Sequence, residues 1–263
     1  MSWPRSNSRM SSDVRPFGAD FPPWPELDFS AFGETESRPL PKLQKFVSAT
    51  LSRNWAVIPH VTHHDEADIT ELEIHRKAAN AANPEARITP LAYFVKAIVV
   101  ALKAHPQFNA SLDIANNALI YKKYFNIGIA VDTPNGLLVP VIRNSDSKSI
   151  GEISKEIADI SLRARSKGLP MKEMVGGSMS ISSLGGIGGT AFTPIINAPE
   201  LAILGVTKSR WAPQRGADDA VNWRLTLPLD LSYDHRAING ADAARFVVTV
   251  AKALAGPESL AAG

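Results

Sequence analysis

The sequence has no cysteine among its 263 residues. Thiol nucleophiles, disulfides and cysteine-ligated zinc sites are therefore excluded, and the chain fits a reducing compartment such as the cytoplasm. No sign of charge dominates either, because 28 basic residues stand against 26 acidic ones. Nothing in this balance requires nucleic acid or an anionic membrane as a partner.

A long hydrophobic run is also missing. The most apolar window, from Leu91 to Ala104, is interrupted by Lys96 and Lys103, and it is shorter than the ~20 residues that a membrane-spanning helix needs. We predict a buried helix there. No apolar run follows the arginines near the N-terminus, so a secretory signal is not expected.

The periodicity of the remaining chain predicts one main domain. Residues 1–38 are rich in proline and have no regular pattern, which predicts an extended arm or linker remnant before a domain that spans residues 39–263. Helical and strand patterns then alternate irregularly, and the last half is rich in strands. This order predicts an α+β fold with helices on one face of a sheet. The predicted helices cover approximately residues 43–55, 70–81, 90–105, 149–167 and 239–250.

The stretch Leu231–Phe246, LSYDHRAINGADAARF, contains the first candidate catalytic residue. Its apolar and polar residues alternate up to His235, which is typical of a strand, and Asn239 is placed to cap the following helix. His235 is thus predicted at a strand-to-helix junction, where rigid elements on both sides can present a base to a cleft. The pattern alone fits an ordinary histidine with backbone partners equally well.

The glycine-rich stretch GGSMSISSLGGIGGTAFTP, residues 176–194, contains a second candidate. Gly186, Gly188 and Ala191 satisfy a dinucleotide fingerprint, but no helix follows them. Ser182 with His235 could suggest a hydrolase, yet the context is not GxSxG and no orienting acid is evident. We interpret Ser182 as a hydrogen-bond donor, although the pattern alone favours an ordinary strand serine.

Two histidines, His60 and His64, have the i, i+4 spacing of helical zinc sites. On the strand predicted for this segment they would share one face but lie about 13 Å apart. We therefore predict no metal site.

Four segments, in this order, carry a resemblance to a known family: LSRNWAVIPHVTHHDEADITELE, KYFNIGIAVDTPNGLLVPVIR, ISSLGGIGGTAFTPIINAPELAILGV and LSYDHRAINGADAARF. Together they resemble the dihydrolipoyl acyltransferases, which are core subunits of 2-oxo acid dehydrogenase complexes and relatives of chloramphenicol acetyltransferase. DHRAING is similar to the family signature DHRxxDG or DHRxxNG. The resemblance covers roughly residues 28–252, and it is most pronounced with the pyruvate-specific acetyltransferases.

The resemblance implies a chloramphenicol acetyltransferase-like two-layer fold, with a mixed sheet covered by helices, and residues 39–263 as the acyltransferase catalytic domain. It also implies a homotrimer with active sites at its interfaces, each with the histidine of one subunit and the serine of the next. The implied reaction moves an acetyl or other acyl group between dihydrolipoamide and coenzyme A, which is a substrate. No metal takes part.

The resemblance also assigns roles to individual residues. His235 would deprotonate the thiol of coenzyme A, Ser182 would stabilise the oxyanion, and Asn239 would hold Arg53 in place. Asp234 would support His235 from the adjacent position. Two residues would line the substrate channel, Asp132 and Gly186.

Two departures from the family pattern limit these expectations. The arm of about 38 residues is too short for the lipoyl and subunit-binding domains that usually precede this core. The sequence is then either a core cut from a longer chain or a free-standing core, and the lipoyl group would come from another domain or chain. The C-terminal LAGPESLAAG lacks the bulky apolar end that joins trimers, which leaves a larger cage in doubt. Expected partners are a lipoyl-bearing domain and the other 2-oxo acid dehydrogenase subunits. Two alternatives remain, a non-catalytic scaffold subunit and a free-standing small-molecule acetyltransferase.

Overall fold

The computed structural model describes residues 25–134, 136–216 and 219–261. Its helices are α1 Lys42–Val57, α2 Thr70–Ala82, α3 Pro90–Ala104, α4 Ile150–Ser166, α5 Gly240–Ala255 and α6 Pro257–Ala261. Its strands are β1 His60–Asp68, β2 Ala110–Asp113, β3 Ala118–Tyr121, β4 Ile127–Ile129, β5 Val131–Thr133, β6 Gly136–Leu138, β7 Val141–Ile142, β8 Met179–Ser183, β9 Ala202–Val206, β10 Arg210–Arg215 and β11 Val221–Asp234.

One seven-stranded sheet organises the fold. Its order is β1-β11-β9-β8-β4-β7, and β10 pairs with the first half of β11. β8 runs parallel to β4 and β9, whereas the other pairs are antiparallel. Two small hairpins, β2-β3 and β5-β6, lie outside this sheet. The predicted α+β class and mixed sheet are confirmed.

One face of the sheet is apolar and carries the helices. Alternate residues of β11 are buried on this face, namely Leu227, Leu229, Leu231 and Tyr233. α5 packs on β1 and β11, and α3 packs on α5. Phe108 and Phe246 stack in this layer with their ring centroids 4.2 Å apart. The buried aromatic and aliphatic surface joins the helices to the sheet, as expected for a two-layer domain.

The opposite face is polar and bears the glycine-rich stretch. Because side chains alternate along a strand, Asp230, Ser232 and Asp234 of β11 point away from the apolar face. Residues 190–196, which we call the covering segment, run back across this face between β8 and β9. The Oγ of Thr207 donates to the Thr190 carbonyl at 3.1 Å, and the Ile196 N–H donates to His60 Nε2 at 3.1 Å.

Several element boundaries differ from the sequence-based predictions. The alternation in VIPHVTHHDEADI predicts a strand from Val57, but α1 continues to that residue and β1 begins at His60, after Pro59. The extension is held by Asn54, whose side-chain amide donates to the Ile196 carbonyl at 2.9 Å. The sequence offers Asp68 or Thr70 as the cap of α2, but the helix begins at Thr70 with Ile69 at its N-cap, and Asp68 accepts the Thr70 N–H.

The segments NIGIAVDT and GLLVPVI, on either side of residues 134–136, predict one strand each with a sharp turn between them, but they form four strands. β4 and β7 belong to the main sheet, whereas β5 and β6 form a separate hairpin. The capping box of α4 is present, with Ser149 and Glu152 bonding each other's backbone N–H. α6 packs against α2, α3 and α5, and its Leu260 is only 2% exposed.

The predicted arm is described only in part. Residues 1–24 lie outside the described residues, and residues 25–41 are exposed, with a single 3-10 turn at Phe29–Phe32. The arm stays a prediction. No helix in the described part of the chain has the length and apolar character to cross a membrane.

Candidate active site

His235 lies in a tight turn between β11 and α5, as predicted. Its imidazole is exposed, and its backbone N–H donates to the Pro59 carbonyl at 3.2 Å. Its ring stands 5.8 Å from that of Tyr233, centroid to centroid. Tyr233 is buried, which raises the pKa of its phenol. The base candidate thus stands on an anchored backbone with its ring turned to solvent.

The turn is fixed by the Asp234 carboxylate, which is 2% exposed. Arg236 donates to it through Nε at 3.0 Å and Nη2 at 2.7 Å, and the Arg236 backbone N–H donates to Oδ1 at 3.0 Å. The backbone N–H of Asp234 donates to the Leu201 carbonyl at 2.9 Å. These charge-assisted bonds hold the residues on both sides of His235. The supporting role assigned to Asp234 stays a prediction.

Ser182 lies on β8, half-buried, on the polar face of the sheet. It pairs with Gly205, which pairs in turn with Asp230, and Asp234 lies four residues further along β11. Two interstrand steps of ~4.8 Å and four residues at ~3.3 Å put the Cα atoms of Ser182 and Asp234 roughly 16 Å apart. Within one chain, Ser182 and His235 therefore do not form a shared site.

Asn239 occupies the N-cap position of α5, as predicted, but its side chain makes no capping hydrogen bond. The structure differs from the prediction that it holds Arg53. Arg53 instead donates to the Asn54 side-chain oxygen, through Nη2 at 2.9 Å and Nε at 3.2 Å. The difference follows from the last turn of α1, where the buried Asn54 is fixed to the Ile196 carbonyl and offers its oxygen to the neighbouring guanidinium. A supporting role of Arg53 stays a prediction.

Of the two predicted channel residues, Gly186 follows the C-terminal end of β8 and Asp132 lies on β5, just after β4. Gly186 borders a cleft of about 390 Å³, together with Ser183 and Gly185. Its floor is apolar and is formed by Ile69, Leu91, Phe94, Val206, Leu225 and Leu227. Asp132 is exposed on β5, which begins two residues after Ile129, the last residue of β4. Ile129 pairs with Ile181, the neighbour of Ser182 on β8. Their contact with a substrate stays a prediction.

The family described as 2-oxoacid dehydrogenases acyltransferase (catalytic domain) matches residues 32–262. The chain belongs to this family. Its sequence is 56% identical over 226 residues to the dihydrolipoyllysine-residue acetyltransferase component of the pyruvate dehydrogenase complex of Cupriavidus necator, covering 85% of this chain and 40% of that protein. For the Haemophilus influenzae component, the identity is 51% over 237 residues, or 89% and 42% of the two chains. The chain thus spans less than half the length of these relatives.

Solved structures agree with this membership in the acyltransferase family. The dihydrolipoamide acetyltransferase of Azotobacter vinelandii superposes with a TM-score of 0.88 at 49% identity, covering 91% of this chain and 99% of that one. Chloramphenicol acetyltransferase superposes with a TM-score of 0.54 at 15% identity, covering 75% and 89%. The second likeness concerns the fold alone, and it confirms the predicted chloramphenicol acetyltransferase-like architecture.

Two buried carboxylates of this acyltransferase domain were not predicted from the sequence. Glu200, 4% exposed, follows β8 and the covering segment, and burial raises its pKa to about 7. Asp230, 1% exposed, lies at the centre of β11. The signal for Asp230 is a single acidic residue within the alternating run LTLPLDLSYD, because an unpaired carboxylate would not be buried at such a position. Glu200 has no comparable signal, since its segment reads as a loop.

Proposed function

We propose that this chain transfers acetyl groups between a dihydrolipoyl group and coenzyme A, as the catalytic core of a pyruvate dehydrogenase complex. The observation that carries the proposal is the DHRAING turn, where an ion pair from Arg236 to the buried Asp234 carboxylate fixes the backbone under a solvent-facing imidazole. Its support comes from relatives named as the acetyltransferase component of that complex. In the Azotobacter vinelandii enzyme, a serine, a histidine and an asparagine were studied for their roles in catalysis. That histidine and asparagine are four positions apart, as are His235 and Asn239.

The chemistry begins with the thiol of coenzyme A. A thiol with a pKa near ~8.5 is mostly protonated at neutral pH, and the thiolate is the attacking species. His235 accepts the proton while the sulfur forms a bond to the thioester carbonyl carbon of an acetyl-dihydrolipoyl group. The carbonyl oxygen becomes an oxyanion, and the hydroxyl of Ser182 donates to it. The bond to the lipoyl sulfur then breaks, the carbonyl re-forms, and the proton held by His235 passes to the departing thiolate.

The two reacting side chains come from different subunits in this proposal. The support is the distance of roughly 16 Å between the Cα atoms of Ser182 and Asp234, the residue before His235, which no rotation of the two reacting side chains can close. In one chain the imidazole of His235 is exposed and the hydroxyl of Ser182 is half-buried. A second copy of the chain then brings its own Ser182 to this His235. A closed ring of three chains gives three equivalent sites, each at one interface. Acetyl transfer therefore depends on assembly of the homotrimer.

The remaining partners follow from the reaction. The lipoyl group is presented by another domain or chain, together with the other subunits of the complex, and the reaction takes place in the cytoplasm. Assembly of trimers into a larger cage is doubtful, because α6 packs against its own chain through Leu260. No metal is needed, since base and oxyanion donor are both side chains.

The test is an acetyl-transfer assay with acetyl coenzyme A and free dihydrolipoamide, in which acetyl-dihydrolipoamide is quantified by chromatography. His235→Ala should lower kcat by about 10² to 10⁴-fold, the usual contribution of a general base. Ser182→Ala should lower it by about 10² to 10³-fold, the usual contribution of one oxyanion donor. His63→Gln is the matched control. His63 pairs with Leu231 on the apolar face of the sheet, whereas Ser182 lies on the polar face. If the wild-type trimer shows no acetyl transfer, the proposed function is wrong and the non-catalytic scaffold subunit becomes the better account.

A further inference from the structure

Asp230 is a buried carboxylate with two donors on separate parts of the chain. His64 Nδ1 donates to its Oδ1 at 2.6 Å, and the backbone N–H of Phe192 donates to its Oδ2 at 3.2 Å. The His64 side chain is 49% exposed, whereas that of Asp230 is 1% exposed. Because a carboxylate only accepts, the Nδ1 of His64 carries the proton and Nε2 faces outward. Asp230 thus ties the edge strand β1 to the covering segment.

Asp230 lies in the same row of the sheet as Ser182. His64 pairs with Asp230, Asp230 with Gly205, and Gly205 with Ser182. Paired residues of neighbouring strands point to the same face. The four positions therefore form a line across the polar face, at one level, from the β1 edge to Ser182.

The ring of Phe192 fills the gap in this line. A Cβ at Gly205 would stand 2.7 Å from Cε1 of Phe192 and 3.2 Å from Cβ of Asp230. The absence of a side chain at Gly205 thus makes room for the ring, between Asp230 and Ser182. The backbone bond to Asp230 sets where Phe192 enters this space, and the ring lies over Gly205, which pairs with Ser182.

We propose that Asp230, oriented by His64, is a positioning residue for the Ser182 hydroxyl. This inference rests on the proposed function, in which that hydroxyl stabilises the oxyanion. A preorganised donor must already point to the place where charge develops, and a displacement of about 1 Å can cost a factor of about 10² in rate. Asp230 fixes Phe192, the Phe192 ring lies over Gly205, and Gly205 is the strand neighbour of Ser182. The covering segment is thereby held next to the donor.

The experiment compares variants that break the link with variants that keep it. Asp230→Ala removes both acceptors, whereas Asp230→Asn keeps an oxygen for Phe192 and an amide group for His64. His64→Leu removes the donor, whereas His64→Asn keeps a side-chain N–H near the position of Nδ1. Asp230→Ala should lower kcat by about 10 to 100-fold with KM for both substrates unchanged, and Asp230→Asn should recover most of it. His64→Leu should lower kcat less than Asp230→Ala, and His64→Asn should restore it.

Ser232→Ala is the matched control. Ser232 lies two residues along β11 on the same face, is fully buried, and bonds Thr62 Oγ1 at 2.8 Å rather than a residue of the covering segment. It should leave kcat within about 2-fold of wild type. A loss as large as that of Asp230→Ala would show that any buried polar change on this face has the same effect, and would overturn the proposal.

A double-mutant cycle separates positioning from general destabilisation. In a Ser182→Ala background, Asp230→Ala should change kcat by less than about 3-fold, because the donor that it positions is already gone. An equal loss in both backgrounds would refute the proposal. Wild-type transfer is measured first, and its absence would overturn the proposed function itself. Amide hydrogen exchange then judges the link alone: faster exchange at residues 190–194 in Asp230→Ala than in Ser232→Ala supports it, and equal exchange refutes it.

Discussion

Trimers that contain both His235→Ala and Ser182→Ala chains should recover activity that neither variant has alone. The reason is that Ser182 lies roughly 16 Å, between Cα atoms, from Asp234, the residue before His235, in the same chain. If each site takes its base from one chain and its oxyanion donor from the next, an interface is competent when an intact His235 meets an intact Ser182. A site within one chain could never be restored by mixing.

The size of the recovery follows from ring geometry. A mixed trimer contains either two His235→Ala chains and one Ser182→Ala chain, or the reverse. In either case only one of the three interfaces joins an intact histidine to an intact serine in the required direction. The mixed trimer should therefore have about one third of the wild-type activity, independent of composition.

The assay uses co-expressed chains with two different affinity tags and sequential purification on both tags, so that only mixed trimers remain. Acetyl transfer is measured per trimer, against wild-type chains that carry the same two tags. Activity near the level of the single variants, in particles shown to be trimers, would refute the interface site. It would place base and donor in one chain or remove Ser182 from the reaction.

Two further predictions concern the buried carboxyl group and the glycine of the Ser182 row. Because burial raises the pKa of Glu200 from 4.5 to about 7, the folded protein binds this proton more tightly than the unfolded chain does. The free energy of unfolding of wild type, relative to that of Glu200→Gln, should therefore fall by about 3 kcal/mol as pH rises from 4.5 to about 7. Denaturant titrations of both proteins at about pH 5 and about pH 8 measure this fall. A difference between the two proteins that does not change with pH would contradict the prediction. Gly205→Ala should lower the free energy of unfolding by about 1 to 3 kcal/mol, because its Cβ overlaps the Phe192 ring. A wild-type-like thermal unfolding curve would show that the ring moves aside without cost.

Much of the fold was predictable from the sequence, because local patterns and local energetics agree. The apolar window at Leu91 forms α3, and Ser149 with Glu152 caps α4 as its sequence suggests. The strand end at His235 and the helix start at Asn239 are also where the alternation breaks. In each case the deciding interactions join residues that are near in sequence.

The assignments that the sequence alone did not decide depend on residues far apart in the chain. Asn54 takes the Arg53 guanidinium because the covering segment, more than a hundred residues later, fixes its side chain. Asp230 reads as one acidic residue in an apolar strand, and only the folded sheet shows that His64 and Phe192 neutralise the cost of its burial.

The sequence by itself determined most of the helices, the family resemblance and the identity of the base and donor candidates, since these depend on local spacing and on motifs. The tertiary structure alone decided the distance between Ser182 and His235, and which partners the buried carboxylates have. The physical reason is that strand order and register bring together residues from β1, β8, β9 and β11. Local periodicity determines which face a residue occupies, but not which strand lies beside it.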